Sequence, residues 1–201
     1  MDWTALFTTF GLLFLAELGD KTQLAVIAQT CRYRRPWAVF LGASLALAVI
    51  TGLGVVAGRL AGWLIPGQWI RWIAAAGFVF MGAWLAWETW RTSRQDTDTV
   101  CDPEEQGKPA ISNWRVVGAT FGLLALAELG DKTQLAVFAR ASSGSPPWAV
   151  FAGGTLALVL VTAIGVVGGE GLVRFVPERT LHWIAAAAFV VMGILIGVGV
   201  L

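Results

Sequence analysis

Long uncharged stretches alternate with short polar ones along the chain. Trp37 to Gly58 runs 22 residues without a charge, and Trp148 to Gly169 runs another 22. Trp183 to Leu201 adds 19. Trp72 to Trp87 gives 16, and extending it to Trp69 and Trp90 makes a full span. A helix that crosses a bilayer needs about 20 mostly apolar residues, so each stretch reads as a span. Two more are interrupted. Trp3 to Gln29 carries Glu17, Asp20 and Lys21 near its centre, and Trp114 to Arg140 carries Glu128, Asp131 and Lys132 in the same place. The pattern predicts an all-α integral membrane protein with six transmembrane helices, near 3–29, 37–58, 69–90, 114–140, 148–169 and 180–201. Tryptophans cluster at the ends of these spans, where an amphipathic ring settles at the headgroup level.

The spans fall into two sets of three. Thr9 to Gln29 reads TFGLLFLAELGDKTQLAVIAQ, and Thr120 to Arg140 reads TFGLLALAELGDKTQLAVFAR, with 18 of 21 positions identical at an offset of 111. The register continues without a gap through Pro36-Trp37 and Pro147-Trp148, Pro66 and Pro177, and Met81-Gly82 and Met192-Gly193. Three spans is an odd number, so the second copy enters the membrane from the opposite face. The expected architecture is therefore two inverted three-helix repeats, residues 1–90 and 114–201, related by a pseudo-twofold axis in the membrane plane. Secondary transporters are commonly built this way, with the site between the repeats at mid-depth. Small residues four apart, such as Gly42 and Ala46, Gly54 and Gly58, Gly153 and Ala157, and Gly165 and Gly169, read as close helix packing.

Composition agrees. Hydrophobic residues make up 57% of the chain and charged residues 13%, against about 25% charged in a soluble domain. The net charge of +1 provides no basic field for a nucleic acid. Cys31 and Cys101 are too few for a disulfide framework or a zinc site and read as incidental thiols. One histidine and no nucleophile elbow leave catalysis nothing to build on, so no enzyme is expected. Asp2 stands where a signal peptide carries basic residues, so the first span reads as part of the mature protein. Residues 91–113 hold Gln95, Asp96, Asp98, Asp102, Glu104, Glu105 and Lys108 with Pro103 and Pro109 and read as an acidic linker. With that linker in the cytoplasm, nine loop Lys and Arg lie inside and Arg59, Arg71 and Arg140 lie outside. The positive-inside bias then places both termini outside the cytoplasm.

Charges at bilayer depth cost at least about 2.5–3.5 kcal/mol each and face a bundle interior. At 100° per residue Glu17, Asp20 and Lys21 share one helical face, and Gln23 continues the arc. Thr22 points elsewhere unless the helix deforms at Gly19. Glu128, Asp131, Lys132 and Gln134 repeat the pattern. Four carboxylates and two ammoniums sum to −2, which one divalent cation or two protons would neutralise. Carboxylate and amide oxygens are hard ligands suited to Mn²⁺, Ca²⁺ or Mg²⁺. Metal-site candidates are therefore Glu17, Asp20, Gln23, Glu128, Asp131 and Gln134, with Lys21 and Lys132 balancing charge. No cofactor is called for; the cation is substrate and the proton its counter-ion. Rival readings are an exporter of a small organic cation, such as a basic amino acid, and a non-transporting membrane assembly protein. Lipid is the surrounding partner, and homo-oligomerisation is left open.

The doubled E-x-G-D-K-T signature resembles the family once catalogued as uncharacterised protein family 0016. That family includes Golgi Ca²⁺/Mn²⁺ transporters, chloroplast and cyanobacterial manganese transporters, and bacterial manganese exporters. The resemblance covers nearly the whole chain. It implies a cation/proton exchanger that removes Mn²⁺ or Ca²⁺ from the cytosol and carries the motif roles to Glu17, Asp20, Glu128 and Asp131. Lys21, Thr22, Lys132 and Thr133 stand beside them. The short chain looks like a bacterial plasma-membrane member.

Overall fold

A computed structural model describes residues 3–18, 20–64, 67–91, 112–173 and 178–198, with the backbone alone at 21, 67, 70–71, 88, 169–173 and 178–182. The linker 92–111, Gly19 and the side chains of Lys21 and His182 lie outside the described residues. All regular structure among the described residues is helical. The elements are α1 (Trp3–Glu17), α2 (Lys21–Tyr33), α3 (Pro36–Leu64), α4 (Gly67–Arg91), α5 (Asn113–Glu128), α6 (Lys132–Ser142), α7 (Pro147–Val173) and α8 (Glu178–Val198).

The continuous helices read over 3–29 and 114–140 are each two helices. Both break at the same point of the motif, after the glutamate and before the lysine. Gly130 explains the second break: its φ of +86° is left-handed backbone that side-chain-bearing residues rarely adopt. The peptide N–H groups of Asp20 and Asp131 turn back to Glu17 O (3.1 Å) and Glu128 O (3.2 Å), closing each turn. Pro36 and Pro147 open α3 and α7 at the position where a missing N–H costs least.

Among the described residues, two helices are long and apolar enough to cross a membrane: α3, with mean hydropathy 2.3, and residues Pro147–Gly168 of α7, with 2.4. On α3 the residues Leu41, Leu45, Val49, Leu53, Val56 and Leu60 are exposed, while Ala43, Ala46, Leu47 and Ile50 are buried. An exposed apolar stripe of this length on a helix whose other face is also apolar is the pattern of a lipid-facing span. The interior is lined by small residues, so helices approach closely.

Packing crosses between the repeats. Helix α1 lies on α7 and α5 on α3; α6 lies on α3 and α2 on α7; α4 lies on α8. The closest approaches come in matched pairs at the 111-residue offset. A Cβ built on Gly42 would sit 2.5 Å from Val117 O, and one on Gly153 would sit 2.5 Å from Leu6 O. A Cβ built on Gly82 would sit 2.7 Å from Val190 Cγ2, and one on Gly193 2.7 Å from Val79 Cγ2. Phe78 and Phe189, themselves equivalent, face one another with centroids 5.7 Å apart. Cys31, near the end of α2, is disulfide-bonded, which corrects its reading as an incidental thiol; Cys101 lies outside the described residues.

Gly42→Ala and Gly153→Ala should each destabilise the purified protein by about 1–3 kcal/mol, the range for overpacking. Gly118→Ala and Gly122→Ala, where a methyl meets nothing within 4 Å, should leave the melting temperature unchanged or raise it slightly. Thermal unfolding in detergent reads the difference. Equal effects at both pairs would contradict the close packing.

Candidate functional site

The two helix breaks meet inside the bundle. At each break an aspartate occupies the N-cap position, Asp20 before α2 and Asp131 before α6, with extended backbone at φ −84°, ψ 172° and φ −75°, ψ 170°. Neither caps its helix with its side chain, although aspartate ordinarily does. The carboxylates are turned away from their own helices. Asp20 Oδ1 instead lies 2.8 Å from Lys132 Nζ, across the repeat boundary.

The glutamates are held in the same crossed fashion. Thr133 Oγ1 donates to Glu17 Oε1, and Thr22 Oγ1 donates to Glu128 Oε1. These bonds are equivalent at the 111-residue offset, so each repeat supplies the hydroxyl that holds the other's glutamate. Glu17, Asp20, Thr22, Gln23, Glu128, Lys132 and Thr133 are all buried. One oxygen from each of Glu17, Asp20 and Asp131 lies within 4.8 Å of the others. Glu128 stands outside that trio, with one carboxylate oxygen engaged by Thr22. Glu17 is fully buried, and its Oε2 has no hydrogen-bond partner among the described residues. Buried polar atoms are normally satisfied, so this oxygen is free to meet a cation or proton.

Two residues lie differently from the helical-wheel reading. Thr22 was placed off the acidic face, and the break turns it into the site. The 100° rule assumes an uninterrupted helix, whereas α2 starts afresh at Lys21. The signal was present in the sequence: Gly followed by Asp and a polar first turn marks a helix start. Gln134 is the second. Its Oε1 accepts the Gly130 N–H at 2.5 Å, so this amide oxygen stabilises the break. Of the helix hydroxyls nearby, Thr51 and Thr162 donate to Leu47 O and Leu158 O of their own helices. Ser44 and Thr155, equivalent positions, have buried hydroxyls without partners among the described residues.

Chemically, the site offers hard oxygens and one ammonium, with no described sulfur or imidazole among them. Carboxylates this close repel one another and need a cation or protons between them. An apolar cavity of about 180 Å³ reaches Lys132 from the side, between α3, α4, α6 and α8, past Gly77, Phe78, Ala136, Ala139 and Phe189.

A family model described as divalent cation/proton antiporter GDT1 matches residues 5–93 and 116–200. A GDT1-like protein of Synechocystis sp. is 32% identical over 191 residues, covering 90% of this chain and 91% of that one. GDT1-like protein 5 of Arabidopsis thaliana is 28% identical over 211 residues, covering 92% of each. A protein of Vibrio cholerae with the name "Putative manganese exporter" is 28% identical over 186 residues, covering 90% of this chain and 84% of that one. No solved structure matches the chain.

Removing one partner of a buried ion pair costs about 3–5 kcal/mol, while replacing both is far cheaper. Asp20→Asn should therefore lower unfolding stability by that order, and adding Lys132→Met should restore much of it. Thermal unfolding of the single and double variants reads the coupling. Strictly additive losses would mean that the pair contributes nothing.

Proposed function

The chain belongs to the GDT1 family of divalent cation/proton antiporters, and from that premise we propose that it exports Mn²⁺, with Ca²⁺ the second candidate, in exchange for protons. It is a transporter and not an enzyme, and the cation is its substrate. The observation that carries the proposal is the cluster of Glu17, Asp20 and Asp131 oxygens within 4.8 Å of one another. The carboxylate of Glu17 also has a buried oxygen, Oε2, without a hydrogen-bond partner among the described residues.

The proposed ligands are Glu17, Asp20, Glu128 and Asp131, with Gln23 adding an amide oxygen and Gln134 adding one on releasing the Gly130 N–H. A divalent cation entering the cluster competes with Lys132 for Asp20 and with Thr22 and Thr133 for the glutamates. Protons take the same oxygens when the metal leaves, so metal and protons exclude one another. That exclusion couples the two fluxes. Mn²⁺ is placed first because the hard-oxygen set suits it and because the similar Vibrio cholerae protein carries a manganese-exporter name. The aliphatic surroundings of the motifs, Leu, Ala and Gly, do not favour an organic cation.

In the proposed architecture six spans form two inverted repeats, with each broken helix counted as one span. Two contacts support it. The end of α6 lies beside the start of α1, through Arg140 and Thr8. The end of α2 lies beside the start of α5, through Arg35 and Asn113. Access then alternates between an α1–α6 face and an α2–α5 face. The proposed location is the plasma membrane, with the acidic linker cytoplasmic and both termini outside. Lysine and arginine counts support that orientation. Disulfide bonding at Cys31 argues for the reverse, since disulfides are rare in the cytosol. A C-terminal alkaline phosphatase fusion should be active in the proposed orientation; an inactive fusion beside an active linker fusion would invert it.

The central test is Mn²⁺ and Ca²⁺ flux into proteoliposomes with and without a pH gradient. Wild type should show gradient-driven flux, and Glu17→Gln/Glu128→Gln should lose nearly all of it while remaining folded. Full flux in Asp20→Asn would remove that residue from the site. Absence of metal flux from folded wild type, with uptake of a basic amino acid, would move the assignment to an organic-cation exporter.

A further inference from the structure

Within the doubled motif three of 21 positions differ between the copies: Phe14 and Ala125, Ile27 and Phe138, Gln29 and Arg140. The last alone changes charge. Arg140 is 4% exposed and sits in the last turn of α6. Its Nη2 donates to Thr8 Oγ1 at 3.1 Å. The Thr8 hydroxyl is oriented by its own helix, with Thr4 O at 2.7 Å and Ala5 O at 3.2 Å. That leaves an oxygen lone pair for the guanidinium. Helices α1 and α6 come from different repeats, so this bond ties the two halves together.

Among the described residues the other half shows no counterpart of this kind. At the 111-residue offset Thr8 corresponds to Ala119 and Arg140 to Gln29. Ala119 has no side-chain acceptor. Gln29 is buried like Arg140, and its Oε1 has no hydrogen-bond partner among the described residues. The end of α2 and the start of α5 are joined farther out, by the exposed bond from Arg35 to Asn113, where water competes.

The location gives the bond its meaning. Helix α1 runs from Trp3 to Glu17, and α6 runs from Lys132 to Ser142. Thr133 meets Glu17 at the site, and Arg140 meets Thr8 about two turns further out. The bond therefore closes the gap between α1 and α6 on one side of the carboxylate cluster only. We propose that the Arg140–Thr8 bond is a one-sided latch. It must break for the site to open between α1 and α6, whereas among the described residues no buried hydrogen bond equivalent to it joins α2 and α5. The state shut on the α1–α6 face is favoured at rest, although the site itself is nearly symmetric. The latch rests on the alternating-access reading above. Arg140 is a positioning residue that sets how the two faces share the protein's time.

The test uses a single cysteine at Val137, which is 1% exposed and lies one turn from Arg140 toward the site, in a Cys31→Ser/Cys101→Ser background. A membrane-impermeant thiol reagent is applied from each face in right-side-out and inverted vesicles. Arg140→Gln, which copies the other half, should speed labelling from the α1–α6 face by about tenfold, the effect of losing one charged hydrogen bond. Labelling from the α2–α5 face should not rise. Thr8→Ala should act in the same direction and serves if Arg140→Gln fails to fold. A rise of equal size from both faces would mean general loosening and would overturn the latch, as would no change in either folded variant. The labelling needs no transport. A one-sided response from a protein without metal flux would uphold the latch and count against the antiporter reading.

Discussion

Breaking a helix inside an apolar layer is the constraint on which the rest of the structure depends. Each break strands backbone groups and brings carboxylates into the interior of the bundle, where an unpaired charge costs several kcal/mol. Neither repeat can meet that cost alone. Thr133 holds Glu17, Thr22 holds Glu128, and Lys132 neutralises Asp20. All three interactions run between the repeats. The site and the association of the halves are therefore one structural fact. A half without its partner would leave its glutamate, and an aspartate that does not cap its own helix, without partners in hydrocarbon.

Crossed pairing requires the helices to come close, and the small residues of α3, α7, α4 and α8 allow it. Lipid tails are as apolar as a leucine side chain, so burial of apolar area gives little drive to helix association in a membrane. Dispersion and close backbone contact must supply it. That is why Gly42 and Gly153 touch the carbonyl oxygens of Val117 and Leu6 at distances no Cβ tolerates. These contacts draw α5 onto α3 and α1 onto α7, and so bring Glu128 and Glu17 into reach of the opposite repeat.

Much of this is legible in the residues. The doubled motif, its 111-residue offset, the buried fate of its charges and the small-residue contacts of Gly42, Gly54 and Gly153 follow from pattern and from the cost of charge in lipid. The break was not read as one. A helical wheel carries each residue forward by 100° and cannot register a left-handed glycine such as Gly130 at φ +86°, so it leaves Thr22 off the acidic face unless the helix deforms and does not show the bond from Gly130 N–H to Gln134 Oε1. Once the helix restarts after Asp20, the second half of the motif is rotated, and the Thr22 hydroxyl donates to Glu128. Arg140 was counted as a loop charge because its span was drawn to end there. Its burial depends on Thr8, which lies in the other repeat and 132 residues away.

Two nearly identical halves raise a problem of their own. In the proposed alternating-access reading, identical repeats would relate the inward-open and outward-open conformations by the pseudo-twofold axis and give them equal energy. The gradients would still set the direction of net flux, but the empty protein would wait equally on both faces. Any preference must come from positions where the copies differ and where the difference falls on one access path. The carboxylates, threonines and lysines of the motif do not differ. Phe14 and Ala125, or Ile27 and Phe138, exchange apolar volume for apolar volume, which alters packing without a directional bond. Gln29 and Arg140 differ by a full charge, both are buried, and only one has its matching hydroxyl across the repeat boundary. In that reading the favoured face can be retuned without touching the carboxylate cluster, because Arg140 lies about two helical turns from Thr133 on α6.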